Sequence, residues 1–167
     1  MTCAAVGVAV LGAGGTYALF NSSAAASTKV SVVAGTASIS VTSPLALPAV
    51  VLYPGGTIRG PVTVSNTGNT PVALRVTALS GPSPANVFSQ ALTVGVGAGT
   101  AAACAAGTVT PTWSGTFASA TAAPIGSLVP IGGSAELCVS VALAAAAPNA
   151  AQDLLSGFTL TLDGRQP

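Results

Sequence analysis

Apolar and polar residues alternate over several stretches of this chain, which is the pattern of half-buried β-strands. In Thr57–Ser65 and Pro71–Leu79, Val62, Val64, Val72, Leu74 and Val76 alternate with Thr63, Ser65, Ala73, Arg75 and Thr77. One face of each stretch is therefore core and the other wet. The turn residues Asn66–Thr70 lie between them, so the two runs read as a hairpin. Pro61 lies inside the first run and argues for an edge position, because proline cannot donate to a ladder. Ser134–Leu143 repeats the alternation through Leu137, Val139, Val141 and Leu143, and Ser156–Leu162 through Phe158, Leu160 and Leu162.

Lys29–Val33 and Ala37–Val41 alternate near the start, with Gly35 as a bend between them. Val87–Val96 reads as a further strand. Val109–Thr112 and Thr116–Phe117 read as short strands around Trp113, and Leu128–Ile131 leads into a Gly132-Gly133 turn. Ser43–Pro54 carries Pro44, Pro48 and Pro54, which makes it an edge or connecting segment, and Pro54-Gly55-Gly56 is a turn. Gly97–Gly107 is low-complexity Gly/Ala around Cys104. Ala144–Asp153 has the alanine content of a helix but is broken by Pro148 and Asn149. Eight to ten strands with Gly/Pro turns and no amphipathic helix of normal length predict an all-β fold, a two-sheet β-sandwich of jelly-roll kind, with an immunoglobulin-like sandwich as second choice.

The first twenty residues read differently. Thr2–Ala18 is small and apolar, like the hydrophobic core of an export signal, and Thr16-Tyr17-Ala18 offers a small residue for cleavage between Ala18 and Leu19. Its short length and Gly12, Gly14 and Gly15 argue against a transmembrane anchor. The expected organisation is an export signal over 1–18, an N-terminal extension over 19–33 and a β-sandwich domain over 34–167. The membrane would matter only during export, and the mature chain would be secreted or on the cell surface.

Charge changes this picture. Of 167 residues, four are basic (Lys29, Arg59, Arg75, Arg165), three are acidic (Glu136, Asp153, Asp163) and none is His. A typical soluble domain is about a quarter charged. Low net charge favours association, so the surface reads as one covered by copies of the same chain. No basic patch exists for nucleic acid. Without His there is no ordinary general base, the acids are scattered, and the paired glycines open no helix that would cradle phosphate. The expectation is no enzyme, no small-molecule substrate, no cofactor and no metal site. Cys104 and Cys138 form an even pair in an exported chain and predict a disulfide.

Several motifs resemble the TasA/camelysin family of secreted biofilm-matrix fibre proteins. Gly14-Gly15-Thr16-Tyr17-Ala18-Leu19-Phe20 is similar to that family's processing site, and Ala34-Gly35-Thr36-Ala37-Ser38-Ile39 to the strand that follows it. Tyr53-Pro54-Gly55-Gly56 and Val64-Ser65-Asn66-Thr67-Gly68 resemble its Pro-Gly and Asn-Thr-Gly pair, and Leu155–Leu162 its closing strand. Residues 82–123 have no counterpart. The resemblance implies a jelly-roll subunit of an extracellular filament assembled head to tail by donor-strand exchange. Cleavage after Ala18 would free residues 19–33, with Lys29, Val30, Val32 and Val33 as the donor strand. A monomeric secreted adhesive or accessory module is the alternative. Camelysins have also been classed as metallopeptidases, an activity for which this chain has no His and few acids.

Overall fold

The computed structural model describes residues 35–152 and 154–167. Eight strands are β1 (Ile39–Ser43), β2 (Thr57–Asn66), β3 (Val72–Ser80), β4 (Leu92–Ala98), β5 (Trp113–Gly115), β6 (Ala123–Val129), β7 (Ser134–Leu143) and β8 (Thr159–Arg165). Two short helices, α1 (Val87–Gln90) and α2 (Ala101–Ala105), and a 3-10 turn at Asn149–Ala151 complete the elements. A five-stranded sheet runs β1-β2-β7-β4-β5 and a three-stranded sheet runs β6-β3-β8, with every pairing antiparallel. The fold is the expected all-β two-sheet sandwich.

The alternation explains the core. Val62, Val64, Val94, Val96, Leu137 and Val139 face inward from the large sheet against Val72, Leu74, Val76, Ile125 and Val129 from the small one. All are buried. β7 occupies the bounds read from its sequence and sits at the centre of the large sheet, flanked by β2 and β4.

The expected hairpin is overturned. β2 and β3 are not paired; β2 belongs to the large sheet and β3 to the small one. The chain arches between sheets at Asn66, which is 3% exposed. Its Nδ2 donates to the carbonyls of Thr70 (2.8 Å), Val129 (3.2 Å) and Pro130 (3.2 Å), and its Oδ1 accepts from Gly68 N (2.9 Å). Alternation reveals which face of a strand is buried. It cannot tell a returning neighbour from a strand facing it across the core.

The edge position expected of β2 also fails, since β1 and β7 flank it. Leu143 N donates to Gly56 O and Asn66 N to Gly133 O, so even-numbered residues of β2 turn their backbone groups to β7. The Pro61 nitrogen therefore faces the other side. There the pairing with β1 ends at Thr63, and no missing donor is felt.

Three smaller expectations shift. The first half of Val87–Val96 is the helical turn α1, because Asn86 and Ser89 form a reciprocal capping box. The Gly/Ala stretch contains α2, capped by Thr100 Oγ1, which accepts from Ala103 N (3.2 Å), and by Glu136 Oε2, which accepts from Ala101 N (2.8 Å). The strands expected on either side of Trp113 are replaced by β5, which Trp113 begins. The Trp113 indole is buried and donates to Thr121 O (2.9 Å). The turn expected after 128–131 is present, with Gly133 N donating to Pro130 O (3.0 Å), and the strand that leads into it is β6.

Candidate interaction groove

Two segments at one end of the sandwich fail to join either sheet, for reasons written in their sequence. Pro44, Pro48 and Pro54 keep residues 44–56 out of the ladder beside the first half of β2, and the turn closes with Gly56 N donating to Tyr53 O (2.8 Å) and Gly55 at φ 79°. On the other side, the alanine run stops at Pro148, which caps a single 3-10 turn over Asn149–Ala151. Leu154–Phe158 then runs on without regular structure before β8 begins. Among the described residues, no backbone–backbone hydrogen bond involves Leu154–Phe158.

Between these segments lies an apolar groove of about 720 Å³. Its floor is the end of the core: Ile58 of β2, Leu92 of β4, Val141 and Leu143 of β7, and Phe88 of α1. Leu47 and Leu52 form one wall, and Ser156 and Phe158 the other. Among the described residues its rim carries most of the large exposed apolar side chains, including Val50, Val51, Tyr53 (71% exposed) and Leu155 (90%). No described residue lining it is charged. Water gains nothing from such a surface, and a contiguous exposed apolar patch marks an interaction site.

Two further features bear on what it could hold. β8 is hydrogen-bonded to β3 alone, so among the described residues its other edge offers unpaired backbone groups. Ser156 Oγ is buried in the groove wall with no hydrogen-bond partner among the described residues. An apolar floor, open backbone groups and an orphan hydroxyl together suit an extended peptide, which supplies side chains to the floor and backbone groups to the edge.

The residues singled out in the sequence lie elsewhere. Cys104 and Cys138 are joined in a disulfide with Cα atoms 5.3 Å apart, across a sequence separation of 34. It ties α2 to β7 on the face opposite the core, and neither cysteine lines the groove. The cleavage pair Ala18 and Leu19, and the donor residues Lys29, Val30, Val32 and Val33, fall outside the described residues. Among the described residues there is no group of three or more His, Cys, Asp or Glu able to hold a metal, and no helix long and apolar enough to cross a membrane. The groove itself went unread. Its one sequence signal is that the proline-rich loop is as apolar as a strand: Leu45, Leu47, Val50, Val51, Leu52 and Tyr53 sit where solvated loop residues would be expected.

Comparison of this chain with protein-family models and with curated proteins finds no match.

Proposed function

We propose that this chain is a structural subunit of an extracellular self-assembling filament, polymerising head to tail by donor-strand exchange, and that it carries no enzymatic chemistry. The observation that carries the reading is the apolar groove, whose described lining carries no charge, walled by Leu154–Phe158, which makes no backbone–backbone hydrogen bond among the described residues and leads in sequence into β8, paired among them with β3 alone. In this reading the freed extension of one subunit, residues 19–33, lies extended in the groove of the next. Lys29-Val30-Ser31-Val32-Val33 alternates as such a ligand should, with Val30 and Val32 on one side. A contact of this kind does not close on itself, so it propagates. The motifs resembling the TasA/camelysin family, the chain's few charges and the disulfide, which suits an oxidising compartment, support the same reading.

A second reading, a monomeric secreted adhesive or accessory module, is favoured by one observation. The first described strand, β1, is paired with β2 of its own subunit. Negative-stain electron microscopy of the purified chain beginning at Leu19 separates the two. Uniform filaments are expected. Discrete particles across a range of salt and pH would remove the filament reading and leave the monomeric one.

A further inference from the structure

The groove has a wall of unusual construction. Leu154–Phe158 lines it yet takes part in no backbone–backbone hydrogen bond among the described residues. Phe158 anchors one end of this wall by packing on the core and against Phe117, with ring centroids 6.1 Å apart, and a side chain at the start of α1 ties its middle to the domain. Asn86 Nδ2 donates to Leu155 O at 3.1 Å.

Asn86 is itself held from several directions. Its Oδ1 accepts from Ser89 N (2.8 Å) as the cap of α1. Ser89 Oγ accepts from Asn86 N (3.0 Å) and donates to Asn86 O (2.8 Å), and Ser89 is 1% exposed. The amide orientation follows from this network. The atom facing Ser89 N has to be the oxygen, so the atom facing the Leu155 carbonyl is the NH₂ group. Asn86 thus couples the helix that gives Phe88 to the groove with the strap that gives Ser156 and Phe158.

We infer that Asn86 is the positioning residue of the groove, a latch that holds the strap Leu154–Phe158 against α1 and sets how far the groove stands open. The inference rests on the reading of the groove as the seat of an extended segment from a second copy of this chain. That segment brings its own backbone donors, which replace the Asn86 amide at Leu155 O as the strap moves aside. The latch is a single neutral hydrogen bond, weak enough to be exchanged and strong enough to bias the strap by roughly fivefold.

Asn86→Ser tests this, because serine keeps an oxygen to cap α1 and has no group that reaches Leu155 O while doing so. Asn86→Asp is the second variant. It matches asparagine in shape, keeps the capping oxygen and removes the donor. Both are made in the full chain, and initial cleavage by thermolysin is followed by mass spectrometry alongside filament elongation. Cleavage within Leu154–Phe158 is expected to rise roughly fivefold in both variants, with no new cleavage elsewhere, and elongation to quicken. Unchanged cleavage at the strap in both variants would overturn the latch. Faster cleavage in variants that form no filaments, from a parent that forms none either, would leave the latch standing and remove the filament reading.

Discussion

Asn66 shows how one side chain can decide a chain's course. It stands where β2 leaves the large sheet, and its amide satisfies three carbonyls from two other segments, Thr70 and the end of β6 at Val129 and Pro130. Removing it would take a donor from each of these carbonyls, although Pro130 O also accepts from Gly133 N (3.0 Å), and an acceptor left buried without a partner costs about 1–3 kcal/mol. Asn66→Ala is therefore expected to destabilise the domain by about 2–4 kcal/mol, measured as a shift in the urea midpoint with the slope unchanged. A loss below about 0.5 kcal/mol, the range of an ordinary surface substitution, would mean that the arch is held by its backbone alone. The residue was visible in the sequence only as a turn former. Its burial depends on β6, which is 63 positions away at Val129.

Among the elements, α2 is the one least able to stand by itself. Five residues cannot form a stable helix in water. Thr100 and Glu136 supply its caps, and the Cys104–Cys138 bridge fixes it to β7. On chain-entropy grounds a bridge closing a loop of this length stabilises by roughly 3–4 kcal/mol. Cys104→Ser should lower the melting temperature under oxidising conditions only. An equal loss with reductant present would assign the effect to packing, since Cys104 is fully buried. Strands were legible where alternation was long, as in β2, β3 and β7. α1 was masked because Val87 and Phe88 look like strand residues until the Asn86–Ser89 capping box is recognised.

For the whole molecule the ruling fact is a surface with few charges and an apolar groove at one end of the sandwich. Deleting Leu19–Val33 is expected to abolish filaments and leave a folded core, checked by microscopy and circular dichroism together. Filaments from the truncated chain would exclude the extension as donor. The sequence by itself determined the fold class, the inward faces of the main strands, the cysteine pair and the poverty of charged chemistry, because each depends on local periodicity or on composition. Only the tertiary structure decided that β2 and β3 face each other across the core, that β2 is flanked on both sides, and that a proline-rich loop and a broken alanine run converge on one groove. The physical reason is common to all three. Alternation fixes the direction of a side chain relative to its own backbone, whereas sheet partners and cavities are set by which distant segments bury that side chain.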